Sequence, residues 1–296
     1  MKNKSGHWLL TICFFISIQT VVGQSFDSVE IKTTKITESI YMLEGAGGNI
    51  GVLTGNDGII LIDDQFAPLS AKIKKALRAI SDKPVKFIIN THFHGDHTGG
   101  NKNFGEEGSI IVAHENTRKR LTTDQFIAAF DDHQKAYDYV AIPKITFTES
   151  IIFHVDSQTV EIFHVKNAHT DGDAIIHFTE SNVFHTGDVF GPSGLPFIDQ
   201  SNGGSIDGMI AAADLLLKLV NDQSKIIPGH GKLSGKKELT EYRNMLQTIR
   251  NRVAEAIKQG KTLDQIIATN PTKEFNSFME RMRPMFVKAV YDSLKK

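Results

Sequence analysis

His92-Phe93-His94-Gly95-Asp96-His97 places three imidazoles and one carboxylate in six consecutive residues. The mostly apolar residues 85–90 shortly before it predict a short buried strand. Because residues two apart share a face of an extended segment, His92 and His94 can bind one ion from the same side. Asp96 and His97 fall where the chain turns, so they can face a second ion. Imidazole and carboxylate are the ligands that Zn²⁺ takes when thiolate is absent, so this segment predicts a metal-binding loop.

One loop cannot complete two coordination spheres, so further ligands must come from elsewhere in the chain. Three glycine-containing loops, each after a predicted strand, offer candidates: His169 in residues 167–173, Asp188 in residues 185–188, and His230 in residues 228–231. A carboxylate such as Asp188 can bridge two cations, which a single imidazole nitrogen cannot do. A lone histidine is usually a hydrogen-bonded or surface residue, but a cluster followed by three such loops is hard to reach by accident.

Five other histidines are predicted to be packing or hydrogen-bonding residues rather than metal ligands. Their positions, in strands or at a strand end, are explained by alternation alone. They are His114, His154, His164, His177 and His185.

Residues 1–23 predict a cleaved signal peptide. Lys2 and Lys4 precede a mostly apolar run over residues 8–22, and cleavage is expected after Gly23. The alternative is a retained membrane anchor, but polar residues interrupt the run and it is short for a bilayer span. We therefore predict export across the inner membrane to the periplasm or the extracellular space, with no stable membrane anchor after cleavage.

Composition excludes several function classes. The chain has 33 basic and 34 acidic residues, so it lacks the basic field that would concentrate nucleic acid. Its single cysteine, Cys13, lies inside the predicted signal peptide. The mature chain would therefore contain no thiol nucleophile, disulfide or thiolate ligand.

The rest of the chain alternates predicted strands and helices in an α/β pattern, and we assign residues 24–296 to one domain with C-terminal helices from about residue 235. Strands are predicted at 29–34, 39–44, 50–54, 59–63, 110–113, 174–178, 183–185 and 225–227, antiparallel strands over 145–165, and helices at 69–80, from about 115, at 207–220, at 236–258 and beyond.

Together, HFHGDH, NAHTDGD, TGD and PGHG resemble the metallo-β-lactamase superfamily in their order and spacing, over roughly residues 39–231. This resemblance implies a four-layer αβ/βα sandwich with two zinc ions at one edge between two sheets. It implies three sets of ligands: His92, His94 and His169 for the first zinc, Asp96, His97 and His230 for the second, and Asp188 bridging both. It also implies that Asp63, at the end of a strand, supports the metal loop.

The expected activity is that of a zinc-dependent hydrolase. Two adjacent zinc ions would give a metal-bridging hydroxide near neutral pH, and Asp96 would orient it and handle the proton. We rank cleavage of an acyl bond in a small-molecule substrate first, either a β-lactam amide or a lactone or ester. A phosphodiesterase or thioesterase of the same fold is the alternative.

Two hypotheses from other classes remain. One is an oxidoreductase with a single iron, similar to sulfur dioxygenases, and it would leave Asp96, His97 and His230 idle. The other is a zinc-binding module without catalysis, which the full set of residues for activating water argues against.

Substrate contacts are expected from the Gly/Pro-rich residues 190–197 and 201–205, directly after Asp188. Phe197, Ser201 and Asn202 are the predicted contacts. The alternative is a plain connector to the next helix. Residues 124–139 form a weaker candidate for a lid.

Overall fold

The computed structural model describes residues 26–156, 158–277 and 281–295. The predicted signal peptide lies outside these residues. No helix in the described part of the chain is long and apolar enough to cross a membrane.

Most described strands belong to two large sheets. The strands are β1 (Lys32–Lys35), β2 (Ile40–Glu44), β3 (Ile50–Gly55), β4 (Gly58–Ile62), β5 (Val85–Ile89), β6 (Ile110–His114), β7 (Gln125–Ile127), β8 (Asp132–Gln134), β9 (Ile145–Phe147), β10 (Ser150–Val155), β11 (Gln158–His164), β12 (Ala174–Phe178), β13 (Val183–His185) and β14 (Lys225–Ile227).

The first sheet has the order β1-β2-β3-β4-β5-β6-β9, and the second has the order β10-β11-β12-β13-β14. In the first sheet, β1 to β4 are antiparallel, whereas β4, β5, β6 and β9 are parallel. In the second sheet only the pair β13 and β14 is parallel. A separate hairpin joins β7 and β8.

The longer α-helices cover the outer faces of these sheets. The described α-helices are α1 (Ser70–Ile80), α2 (Gly95–Thr98), α3 (Asn101–Gly105), α4 (Glu115–Leu121), α5 (Ile206–Leu219), α6 (Lys236–Lys258), α7 (Leu263–Ala268) and α8 (Met282–Lys295).

Three hydrophobic clusters define the layers. Strand alternation sends Ile60 and Ile62 of β4 into a cluster shared by both sheets, and sends Ile59 and Leu61 into a cluster with α1. A third cluster joins the outer face of the second sheet to α5, α6 and α8. The order is therefore helix, sheet, sheet, helix, which confirms the predicted αβ/βα sandwich.

One strand pairs differently from the prediction. Residues 145–165 were expected to form only antiparallel strands. The structure instead places β9 at the edge of the first sheet, parallel to β6, and only β10 and β11 form the antiparallel hairpin, with Asp156 at a φ of 51° in its turn. The sequence around Ile145 has the apolar character of a strand, but nothing local in it specifies the neighbour.

Parallel strand pairs position the candidate site. Asp63 follows β4 and the HFHGDH loop follows β5, while Asp188 and His230 follow β13 and β14. Loops after parallel neighbours emerge at the same edge of a sheet. Backbone hydrogen bonds join the two edges, because the N–H of Ala174 donates to the Thr91 carbonyl at 2.8 Å and that of Asn49 donates to the Gly229 carbonyl at 2.7 Å.

Candidate metal centre

The structure brings His92, His94 and His169 together as one group of ring nitrogens. His94 Nδ1 lies 3.1 Å from His92 Nε2 and 3.0 Å from His169 Nε2. Ligands at 2.0–2.1 Å around a tetrahedral zinc are separated by about 3.3 Å, so the spacing fits one ion. All three residues are buried.

Burial also sets the protonation state of this first group. It lowers the pKa of His92 well below the usual value and lowers the pKa of His169 to about 4. The neutral imidazole is the form that binds metal, so these side chains are ready to act as ligands at neutral pH.

A second group contains Asp96, His97 and His230. His230 Nε2 lies 3.3 Å from His97 Nε2 and 3.1 Å from Asp96 Oδ2. His97 Nε2 lies 3.5 Å from the same Asp96 oxygen. The ring of His97 rests on Gly48, where an added Cβ would lie 2.1 Å from His97 Cε1, so only glycine fits under this ring.

Asp188 lies between the two groups. Its Oδ1 is 3.2 Å from His97 Nε2, and its Oδ2 is 3.6 Å from His169 Nε2 and 3.5 Å from His230 Nε2. Oδ1 is buried and has no partner with hydrogen-bond geometry among the described residues. A buried anionic oxygen without a hydrogen-bond donor is destabilised unless a cation binds beside it.

The pKa values of Asp188 and His230 also indicate a binding site for a cation. Burial alone would raise the pKa of Asp188, but His230 and His97 hold it well below the usual value. Asp188 in turn raises the pKa of His230 to about 10. The carboxylates thus attract positive charge, and a divalent ion would supply it in place of protons.

Carboxylates and a carbonyl hold the candidate ligands from behind. Asp63 accepts hydrogen bonds from His97 Nδ1 at 2.7 Å and from the Thr91 N–H at 2.7 Å, which is the supporting position expected for it. His169 Nδ1 lies 3.0 Å from the Phe197 carbonyl oxygen. Such partners fix the orientation and the tautomer of metal-binding imidazoles.

Asp199 is a partner that the sequence analysis did not identify. Its buried Oδ2 lies 3.0 Å from His94 Nε2, although 105 residues separate the two in sequence. Asp173, in the same loop as His169, accepts hydrogen bonds from the backbone N–H groups of His169 and Thr170 at 2.6 and 2.8 Å. For Asp199, the only signal in the sequence was the presence of a carboxylate in the long loop after Asp188.

The predicted substrate contacts occupy different positions. Phe197 lines a cavity of 810 Å³ that also exposes Asp96, Asp188 and His230. Ser201 donates a hydrogen bond to Asp199 at 2.6 Å and lines a neighbouring hollow. Asn202 is 3 % exposed and donates to Asp199 at 2.6 Å. This corrects the expectation for Asn202, because its amide supports Asp199 from behind the cavity wall.

The histidines assigned to packing stay outside the two groups. His185 is buried, with Nε2 3.1 Å from the Asn49 carbonyl oxygen. His114 and His164 stack at a ring separation of 3.8 Å, and His177 stacks on Phe184 at 4.0 Å. His154 is exposed on β10.

The fold and the two ligand groups define an αβ/βα sandwich with a candidate metal centre at one edge. The profile described as "Metallo-beta-lactamase superfamily" matches residues 43–230. The chain belongs to this superfamily.

Relatives and solved structures carry several activities. The chain is 24% identical over 252 residues to a linear primary-alkylsulfatase of Pseudomonas sp., covering 71% of this chain and 47% of that enzyme, so it spans less than half of that relative. It is 23% identical over 229 residues to a hydroxyacylglutathione hydrolase of Polaromonas sp., covering 76% and 79% of the two chains. The structure of a metallo-beta-lactamase from Pontibacter korlensis superimposes with a TM-score of 0.60 and 17% identity, covering 74% of this chain and 99% of that one.

Proposed function

We propose that this chain is a dinuclear zinc hydrolase that cleaves an acyl bond in a small-molecule substrate, either a lactone or other ester or the amide of a β-lactam. The observation that carries the proposal is the position of Asp188. One carboxylate contacts histidines of both ligand groups, and one of its buried oxygens has no hydrogen-bond partner among the described residues. A carboxylate shared by two ligand groups fits two ions rather than one.

The donor set fits zinc. Seven candidate ligands, five imidazoles and two carboxylates, converge without a thiolate. His92, His94 and His169 would hold one ion, Asp96, His97 and His230 the other, and Asp188 both. When bound, two zinc ions supply Lewis acidity, which polarises a carbonyl and lowers the pKa of water at the site.

Asp96 is the residue that we assign to proton handling. Its side chain is 27% exposed and borders the 810 Å³ cavity, while His230 and His97 lie 3.1 and 3.5 Å from its Oδ2. Burial would raise its pKa, but those histidines lower it to about 2, so it stays an acceptor at neutral pH. Asp96 can therefore accept a hydrogen bond from an attacking water and orient it, and we assign the passage of the proton to the leaving oxygen or nitrogen to the same carboxylate.

The alternatives leave part of this arrangement without a role. A single iron centre similar to sulfur dioxygenases would use one histidine group and leave the second idle. A zinc module without catalysis would not need a cavity beside Asp96. Phosphodiester and thioester hydrolysis use the same ligands and are separated from acyl cleavage by substrate assays.

Metal analysis of the mature chain, purified without added metal, tests the centre. We expect close to two zinc ions per chain. A reproducible content of one iron and no zinc would overturn the dinuclear hydrolase proposal.

The bond that is cleaved is tested on one zinc-loaded preparation. Values of kcat/KM for a cephalosporin, an acyl lactone and an activated phosphodiester are compared as transition-state free energies. We expect lactone turnover at least equal to that of the cephalosporin, because the Asp188 carboxylate weakens the Lewis acidity of the site. A phosphodiester rate well above both would replace acyl cleavage by the phosphodiesterase alternative.

A further inference from the structure

Phe197 places an apolar ring directly beside the first ligand group. Its ring centroid lies 5.9 Å from that of His94 and 5.6 Å from that of His169. The Phe197 carbonyl also accepts from His169 Nδ1, so the backbone that carries this ring is fixed to the candidate centre. A substrate bound at the first group would therefore lie beside an aromatic surface.

Two hollows meet at this ring. The 810 Å³ cavity over the candidate centre and a neighbouring hollow of 560 Å³ are both bordered by Pro196, Phe197 and Met282. Met285 and Phe286 of α8 continue the wall of the second hollow. These five apolar residues line the two hollows around Phe197, and we call the surface that they form the Phe197 groove. Unbranched methionine side chains adapt readily to a flexible aliphatic chain.

The charges of the residues that line the two hollows favour uncharged substrates over anionic ones. None of the described residues that line the 810 Å³ cavity is Lys or Arg. Glu44 and Asp132 add negative charge near its mouth, and Glu44 is offset by Lys32 at 2.7 Å. Lys288, which borders the second hollow, is paired with Asp292 at 2.5 Å. Recognition of a sulfate or carboxylate usually uses Arg or Lys, and an anionic group beyond the reacting bond would find no free cation in this lining.

We infer that the substrate is an uncharged ester or lactone whose apolar chain lies in the Phe197 groove. This inference rests on the proposed hydrolase function and specifies its substrate class. In the reaction, the oxygen of water bonds to the acyl carbon and the acyl C–O bond breaks. The proton of water passes to the leaving oxygen, giving an acid and an alcohol, or a hydroxy acid from a lactone, without any change of oxidation state.

The first experiment measures kcat/KM of the zinc-loaded protein for p-nitrophenyl esters of two, four, five and eight acyl carbons. Each buried methylene contributes roughly a fourfold gain in binding. We expect at least a tenfold rise from four to eight carbons. The glutarate monoester, in which a carboxylate replaces the terminal methyl group of the five-carbon chain, should be at least tenfold slower than the uncharged pentanoate.

Two variants test whether the acyl chain of the substrate lies in the Phe197 groove. Met285→Gln places an amide in the Phe197 groove and should lower the ratio of eight-carbon to two-carbon kcat/KM by about tenfold. Leu219→Gln makes the same type of change on α5, at a side chain that is 45% exposed and lies outside both hollows. It should leave that ratio unchanged.

A binding measurement distinguishes a failure of the substrate inference from a failure of the hydrolase proposal. Calorimetry with butanamide and octanamide, which are uncharged and slow to hydrolyse, should give octanamide an affinity at least tenfold higher, and Met285→Gln should remove that difference. Failure to cleave any ester, lactone or cephalosporin would overturn the hydrolase proposal, whereas cleavage of the cephalosporin alone would overturn the substrate inference. Equal binding of both amides, a preference for the glutarate monoester, or faster cleavage of p-nitrophenyl sulfate than of the esters would overturn the substrate inference while ester cleavage persists.

Discussion

At the residue scale, His97 connects the metal loop to Asp63 and Asp188, which lie on opposite sides of its ring. Its Nδ1 lies 2.7 Å from Asp63 and its Nε2 lies 3.2 Å from Asp188. We predict that His97→Ala loses most hydrolytic activity and about one zinc per chain, because it removes a ligand of the second group. Metal analysis and kcat/KM on the same sample measure both effects.

His154 is the matched control for this prediction. It is exposed on β10 and belongs to neither ligand group. His154→Gln should keep metal content and kcat/KM close to those of the unaltered protein. Equal losses in both variants would mean that the histidines are wrongly divided into ligands and packing residues.

Asp199 tests whether a carboxylate behind the ligands matters for metal affinity. Its contact with His94 Nε2 orients Nδ1 toward His92 and His169. Asp199→Asn keeps the shape but removes the charge, so we expect zinc affinity to fall roughly 10- to 100-fold. Competition with a chromophoric chelator measures the dissociation constant.

The control is Asp214→Asn, which disrupts an ion pair with Arg243 between α5 and α6, away from the metal groups. Unchanged zinc affinity in Asp199→Asn, or an equal decline in both variants, would refute the orienting role.

The residues that could be predicted from sequence are those whose chemistry is concentrated locally. Three histidines and an aspartate in one loop can be recognised without any tertiary structure. Asp199 could not be recognised, because its role depends on a contact with His94 across 105 residues. Asn202 was assigned to the correct loop, but its exposure depends on how that loop folds back.

At the element scale, the β7–β8 hairpin covers part of the cavity. Phe130, in the turn of the hairpin, packs on Phe197 at a ring separation of 4.7 Å, and Gln134 Nε2 donates to the Phe93 carbonyl at 3.0 Å. Aromatic pairs contribute about 0.5–1.5 kcal/mol. We predict that Phe130→Ala raises KM for an eight-carbon ester by roughly 2- to 10-fold without lowering zinc content.

Phe126 provides the control within the same hairpin. It is similarly exposed, but it stacks on His133 at 4.6 Å and does not line the 810 Å³ cavity. Phe126→Ala should leave KM nearly unchanged. A comparable rise in KM for the two variants would indicate a general effect on the hairpin rather than a contact with substrate.

Elements differ in how well the sequence predicts them. The bounds predicted for α6, residues 236–258, match the structure, because Leu239, Tyr242, Leu246, Ile249 and Val253 recur at helical spacing on its buried face. β9 shows the opposite case. It is only three residues long, and its pairing with β6 depends on residues far away in the sequence.

At the scale of the whole molecule, export remains a proposal about residues outside the described part of the chain. We predict that Ile16→Arg, which interrupts the apolar run of residues 8–22, retains a full-length precursor in the cytoplasm. Fractionation followed by mass spectrometry of the N-terminus measures this. Normal export and trimming of the variant would show that the targeting hypothesis is wrong.

The candidate ligands come from both halves of the sandwich, and this has a consequence for the lifetime of the protein. Four of them follow β5 in the first sheet, and His169, Asp188 and His230 follow strands of the second. Bound ions would therefore act as cross-links between the sheets, and their binding free energy would also oppose separation of the two halves. Free zinc at a thousand times its dissociation constant adds about 4 kcal/mol per site, against a typical folding stability of about 5–15 kcal/mol. When zinc is scarce, the protein would lose this stabilisation as well as its activity, and more of it would unfold and be degraded by proteases. The supply of zinc would therefore determine the amount of protein that remains.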